Sequence, residues 1–376
     1  MRDALYSVLI FVTRGLYWLL RHVLPVQNTV VFLSRQSDVP AIDFRLLQEE
    51  LRRKAPNLRQ KTYCRRMDGE GAGTLGDLLR LIRPTLALLS ARGCFVDGQC
   101  IPLSLYKQRR GFVAVQIWHA PGALKKFGWQ AVGTADGRSV RDAERWNMHG
   151  HYSFIPCASK ATQEIYCQAF RVPPEQVPVL GMPRVDEILR IVADEDVRER
   201  IYAAHKSWRH MTKILYLPTF RKDKPLNIQP LLSLFTPELR QRYKLIIKPH
   251  PNDAMPAAPD FAALTAIPAH DLFSVADVII TDYSAAAIEA SLVGKPLYFY
   301  VPDLEEYSQS TGLNIRLEDE MPSAVFEDFS ELLAAIEGGE YDAAQLLRFR
   351  QKYISAADRE NTRRIVAEFL ERLQNQ

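Results

Sequence analysis

Three β-branched apolar residues, Val278, Ile279 and Ile280, run into Thr281-Asp282-Tyr283-Ser284 and then into helix formers from Ala285 to Leu292. A short, wholly apolar run of this kind reads as a strand buried on both faces, which calls for a parallel sheet covered by helices. The turn after it sets hydroxyls beside the free N–H groups of a helix start, where an anion, above all a phosphate, is favoured. The same residues also fit a plainer reading, in which Ser284 only caps the helix.

The punctuation recurs along the chain. Leu245-Ile-Ile-Lys248 runs into Pro249-His250-Pro251, and Val115-Gln-Ile-Trp118 runs into His119, followed by Gly122, Lys125 and Lys126. Further strands are expected at Asn28–Ser34, Lys61–Cys64, Cys94–Asp97, Tyr152–Pro156, Lys213–Leu217 (followed by Thr219 and Arg221) and Pro296–Tyr300. Between them lie helical stretches at Asp43–Lys54, Leu78–Ala91 (broken at Pro84), Ser159–Phe170 and Asp186–Trp208, with a final long helix over Tyr353–Gln374. Strands alternating with helices predict a doubly wound α/β fold.

The chain of 376 residues is long enough for two ordinary domains. The pattern divides it into an N-terminal helix over 1–25, an α/β domain over 26–185 and a second over 186–376. Asp194, Glu195 and Asp196 sit in a heavily charged helix rather than at a strand end, so a solvated face is expected there, not a metal site. No metal cluster and no nicotinamide or nucleotide-cofactor motif is present, so no cofactor is expected. Five cysteines without a C-x-x-C pair argue against a disulfide framework and fit a reducing compartment.

Residues 4–24 are mostly apolar, with Asp3, Ser7, Arg14 and Arg21 on one helical stripe. Arg14 in the middle disfavours a span. An amphipathic helix lying in the membrane interface is expected, the alternative being a helix packed in the first domain. Residues 1–130 carry 20 Lys+Arg against 9 Asp+Glu, a net of +11, while the remainder is net −7. That asymmetry suits an anionic partner: a membrane surface, a polyanionic polymer or nucleic acid.

Together, Trp118-His119 with Gly122, Lys125, Lys126 and Gly128, the Lys248-Pro-His-Pro251 turn and Asp282-Tyr-Ser284 resemble the CDP-glycerol glycerophosphotransferase family. Gly181-Met-Pro-Arg-Val-Asp186 and Asp303-Leu-Glu-Glu-Tyr307 extend the resemblance from about Asn28 to the C-terminal helix. It implies two Rossmann-like domains facing a cleft, the glycosyltransferase B architecture. It also implies transfer of glycerol phosphate, or a related polyol phosphate, from a CDP-linked donor to a hydroxyl of a lipid-linked or anionic polymeric acceptor. The expected location is peripheral, on the cytoplasmic face of the membrane, with no nucleic-acid partner.

Under the resemblance His119 is the general base, chemically apt because imidazole titrates near working pH. A core histidine beside Trp118 is the plain alternative. His250 stands by the diphosphate, or simply in a rigid turn. Thr281 and Ser284 would bind the diphosphate, with Thr219, Arg221, Lys248 and Asp282 at the same strand ends, although Asp282 also fits a turn brace. Lys125 and Lys126 supply charge, and Glu305 and Glu306 face either ribose hydroxyls or water. Two departures touch the donor: Ala285 replaces a usual second serine, and Thr311-Gly312 replaces Arg-Gly. A nucleotide-sugar glycosyltransferase and a non-catalytic polyanion-binding module remain as rival readings.

Overall fold

The computed structural model describes residues 2–66, 75–134, 137–219, 229–249, 267–310 and 312–375. The chain divides into two compact units. The first comprises residues 1–121, 127–184 and 360–376, and the second residues 122–126 and 185–359.

The first unit is built on a four-stranded parallel sheet in the order β2-β1-β3-β4. Its strands are β1 (Thr29–Ser34), β2 (Arg59–Cys64), β3 (Gly93–Val96) and β4 (Val113–Gln116). β1, β3 and β4 are buried along their whole length, as their apolar runs require. The expected strand at 152–156 is reduced to single bridges, Val115 with Phe154 and Cys157 with Val179.

The final helix, Asn361–Gln374, belongs to this first unit, a correction to its expected place in the second domain. The cause is packing: Phe369 is fully buried with its ring 4.7 Å from Phe95, which stacks in turn on Phe32. The chain leaves the unit at a tight junction. Gly181 has φ +86°, and a Cβ there would fall 1.5 Å from Asn361 Oδ1. Only glycine fits that combination. Three residues on, Arg184 closes on buried Asp43 with Nη2 2.5 Å from Oδ2 and its backbone N–H donating to Oδ1 at 2.9 Å.

Four helices of this unit matter below: α1 (Arg2–Val23), α2 (Ile42–Lys54), α3 (Leu75–Ser90) and α4 (Ile101–Leu105). α3 continues through Pro84, where a break was expected. In α1, polar side chains reach back to the rest of the unit. Arg14 donates to the Leu105 carbonyl, Arg21 to the carbonyls of Lys107 and Gln108, and Tyr17 to Gln108 Oε1. The polar stripe is thus the docked side, while Phe11 (79% exposed), Val8, Val12, Trp18, Leu19 and Val23 point outward. Among the described residues no helix is long and apolar enough to cross a membrane.

The second unit carries a five-stranded parallel sheet in the order β6-β5-β7-β8-β9. Its strands are β5 (Thr212–Leu217), β6 (Tyr243–Ile247), β7 (Val278–Thr281), β8 (Leu297–Tyr300) and β9 (Val325–Phe326). β9 is too short to show a pattern in sequence. The acidic stretch at 194–196 opens the helix Glu195–Ala204, with Asp194 accepting from the amides of Asp196 and Val197 as its cap. Among the described residues no cluster could hold a metal ion.

Candidate functional site

In the first unit the chemistry gathers at the carboxyl end of β4. Ile117 still pairs with β3, donating to the Val96 carbonyl. Trp118 then turns to φ 59°, a left-handed conformation that is costly for a bulky residue. Strain of this kind, of order 1–3 kcal/mol, persists only when its surroundings over-determine it. Here they do: the Trp118 amide donates to Gln116 Oε1, and Gln116 Nε2 donates to the Gly98 carbonyl and the Tyr152 hydroxyl. The Trp118 ring stacks on Phe127 and meets Phe170 and His149 edge-on. Burial pushes the His149 imidazole down to about 3, so it stays a neutral part of this cage.

The reversal at Trp118 throws His119 out of the sheet to an exposed position. Its Nδ1 lies 3.2 Å from the backbone carbonyl of Asp97, at the end of β3. A carbonyl can only accept, so this contact puts a proton on Nδ1, as in the neutral tautomer that a base acting through Nε2 requires. The plain core-histidine reading is set aside by the exposure.

Asp97 had drawn no attention in the sequence, because a strand-end carboxylate without a motif looks like many others. It is 2% exposed, and among the described residues neither carboxylate oxygen has a partner in good hydrogen-bond geometry. Burial pushes its carboxyl up to about 6, opposed by nearby Ser34 and reinforced by the charge of Asp43.

In the second unit the carboxyl ends of β6, β5 and β7 bring Lys248, Thr219, Asp282 and Ser284 to one edge. Their roles differ from those expected. Thr219 donates its amide to both Asp282 oxygens at 3.0 Å and its hydroxyl to Oδ1. Asp282, 1% exposed, is therefore a brace across two strand ends. The Thr281 hydroxyl is fully buried and donates to the Leu217 carbonyl at 2.8 Å. The hydroxyl protons of both threonines are thus committed within the edge, to Asp282 and to the Leu217 carbonyl.

Ser284 is half-buried, and its Oγ accepts from the Ala286 amide at 3.2 Å, at the start of the five-residue helix Ala286–Ala290. Lys248, also half-buried, has its amine pushed down by desolvation. Arg221 and His250 lie outside the described residues, as does Thr311.

The short segment 122–126 is counted with this second unit, although it follows His119 by three residues. Its backbone is held by residues 312–314: Lys126 N–H donates to the Gly312 carbonyl, and Asn314 donates to the carbonyls of Leu124 and Lys125. The Lys125 ammonium stands 5.2 Å above the Tyr307 ring. Tyr307 stacks on Tyr283 at 3.9 Å, and the Tyr283 hydroxyl donates to Asp303. Lys125 therefore joins the β7 edge through an aromatic pair. Tyr283 and Tyr307 were visible only as motif letters, and Asn314 carried no signal. Lys126 is exposed, as are Glu305 and Glu306 on the first turn of the helix Leu304–Ser310.

Each of the two parallel α/β units carries its polar side chains at the carboxyl ends of its strands, where open α/β sheets bind their ligands. The fold is that of the wall teichoic acid polymerase TagF, with a TM-score of 0.73 at 17% identity over 100% of this chain and 98% of that one. A UDP-GlcNAc 2-epimerase of Methanocaldococcus jannaschii is a more distant match, at a TM-score of 0.55 and 14% identity over 91% and 99%.

Residues 16–371 match the CDP-glycerol:poly(glycerophosphate) glycerophosphotransferase family, and the chain belongs to it. It is 32% identical to a teichoic acid ribitol-phosphate primase of Bacillus spizizenii, over 94% of each chain. It is 28% identical to a teichoic acid glycerol-phosphate primase of Bacillus subtilis, over 69% of this chain and 68% of that one. The protein is a transferase, moving a polyol phosphate from a CDP-linked donor to a cell-envelope acceptor.

Proposed function

We propose that His119 is the general base of this transfer and that the acceptor is lipid-linked or a polymer built on a lipid. The hydroxyl oxygen of the acceptor attacks the phosphorus of the polyol phosphate. His119 Nε2 takes the hydroxyl proton, the new O–P bond forms, and the bond to the CMP oxygen breaks. Phosphoryl transfer of this kind depends mainly on positioning and on neutralising charge. Ser284, Lys248 and Lys125 are assigned to the donor phosphates, with His250 and Arg221 assigned there on their sequence motifs alone. Thr219, Thr281 and Asp282 hold the edge that carries them. Glu305 and Glu306 are assigned to the ribose hydroxyls, and Lys126 to the anionic acceptor.

The observation that carries this reading is the His119 ring, exposed at a strand end with Nδ1 pinned by the Asp97 carbonyl. A peripheral position on the cytoplasmic face of the membrane is proposed with it. The outward apolar face of α1 and the net charge of +11 over residues 1–130 support that placement.

The test is CMP release from CDP-glycerol and CDP-ribitol, with and without a lipid-linked acceptor. Acceptor-dependent release from either donor is expected, and none from UDP-sugars. Sugar transfer from a nucleotide sugar instead would replace this reading with that of a glycosyltransferase.

A further inference from the structure

The chain that carries His119 forms a loop whose two feet stand on one helix. On one side Trp118, His119, Ala120 and Pro121 leave the sheet, and on the other Phe127 and Gly128 rejoin the first unit. The helix is Lys160–Phe170, with its amino end capped by Ser159. Its residues Thr162, Tyr166 and Phe170 are spaced four apart and so share one face. Thr162 donates its hydroxyl to the Pro121 carbonyl at 3.4 Å, Tyr166 donates to the Ala120 carbonyl at 2.7 Å, and Phe170 meets the Trp118 ring edge-on. Going along the helix, the partners run backward along the loop, from Pro121 to Ala120 to Trp118. This face therefore supports the chain on both sides of His119. At the other foot, the Phe127 ring meets Tyr166 edge-on at 5.9 Å. Gly128 comes so close to the helix that a Cβ there would fall 2.2 Å from the Ala169 carbonyl oxygen.

Tyr166 thus touches both feet, and its contact with the first is directional. It is fully buried, and burial pushes its phenol well above the ordinary value, so the hydroxyl keeps its proton and donates. The carbonyl it serves belongs to the residue directly after His119. The imidazole is held at its own Nδ1 by the Asp97 carbonyl, and the backbone behind it is held by Tyr166. We infer that Tyr166 is a positioning residue for the transfer: its hydroxyl locks the backbone behind His119 and so fixes where Nε2 stands. This rests on the base role proposed for His119. Being fully buried, Tyr166 does not itself reach a substrate, and it acts through the imidazole. The expected effect is large for a buried hydroxyl, because a misplacement of about 1 Å in a reacting group can cost on the order of a hundredfold in rate.

The test is Tyr166→Phe in the full chain, which keeps the ring against Phe127 and removes only the hydroxyl. Tyr353→Phe is the control, since Tyr353 is also buried and its hydroxyl donates to Glu320 Oε1 at 2.9 Å in the second unit. Three quantities are read: affinity for CDP-glycerol or CDP-ribitol, acceptor-dependent CMP release in a single turnover, and the Nδ1–H resonance of His119 in protein with isotope-labelled histidine, assigned by its absence from His119→Gln. Tyr166→Phe should keep donor affinity within about twofold, slow CMP release by about tenfold or more, and shift or broaden the His119 resonance. Tyr353→Phe should lower the melting temperature and leave rate and resonance at wild type. Wild-type rate and resonance in Tyr166→Phe would overturn the inference. So would an equal loss of rate in Tyr353→Phe, which would make the effect one of stability. A shifted resonance in Tyr166→Phe, with wild-type rates in both Tyr166→Phe and His119→Ala, would keep Tyr166 as the residue that places the ring and overturn the base assignment instead.

Discussion

Asp282 and Thr219 lock together at the carboxyl edge of the second sheet: the Thr219 amide nitrogen stands 3.0 Å from each Asp282 carboxylate oxygen. Because both residues are buried, removing the carboxylate strands an amide and a hydroxyl together. Asp282→Ala should lower stability by about 2–3 kcal/mol, and Asp282→Asn, which keeps one acceptor, should recover part of it. Donor affinity should fall only as the edge loosens. A variant with wild-type melting temperature and lost donor binding would return Asp282 to direct ligand contact.

The Asp97 carboxyl makes unit-1 stability depend on pH. Its folded value of about 6 lies above the usual 3.9 of an unfolded aspartate. The folded state thus favours the neutral acid. This contribution is complete below about pH 4 and is lost as pH rises through 6. Asp97→Asn should remove the loss and gain up to roughly 3 kcal/mol on wild type between pH 4 and pH 8. Thermal melts across that range check it, and parallel curves for the two proteins would contradict it. The backbone carbonyl that holds His119 is retained in this variant.

Arg184 and Asp43 are a buried pair, and breaking one side leaves a charge without its partner. Arg184→Met alone should destabilise by about 3–5 kcal/mol. Adding Asp43→Asn should restore a good part of that, because a neutral pair no longer carries the desolvation cost. Denaturant unfolding of the two variants decides it. Additive losses would show that the ion pair is not the coupling.

Phe11 and Leu19 carry the outward apolar face of α1 without lining the groove between α1, α3 and α4. Phe11→Glu/Leu19→Glu should strip binding to anionic vesicles while leaving the melting temperature and soluble-acceptor turnover near wild type. Wild-type binding should also weaken with salt, since its charged component is screened over about 10 Å at 0.1 M. Equal co-sedimentation of wild type and variant would remove α1 from the interface.

Much of the α/β frame was legible because β-branched runs such as Val278–Ile280 are buried on both faces and read as strands without context. The α1 stripe of Arg14 and Arg21 was legible too, but not its partners: the carbonyls it serves lie at 105–108, far along the chain. The return of the last helix depended on Phe369 meeting Phe95, a contact that no local pattern encodes. At the site, motif spacing singled out His119, Ser284 and Lys125. It could not distinguish a hydroxyl that faces a ligand from one that braces a strand, and Thr219 and Thr281 fell on the bracing side. Asp97 became visible only through its burial.

The central claim, that His119 is the base, is tested most directly by His119→Ala. Its affinity for CDP-glycerol or CDP-ribitol should be measured by calorimetry, and its acceptor-dependent CMP release by single turnover. Donor affinity should stay within about twofold of wild type, and the rate should fall by about 10²–10⁴, the usual worth of a positioned base. Release near the wild-type rate, or a loss of donor affinity large enough to account for the lost rate, would contradict the account.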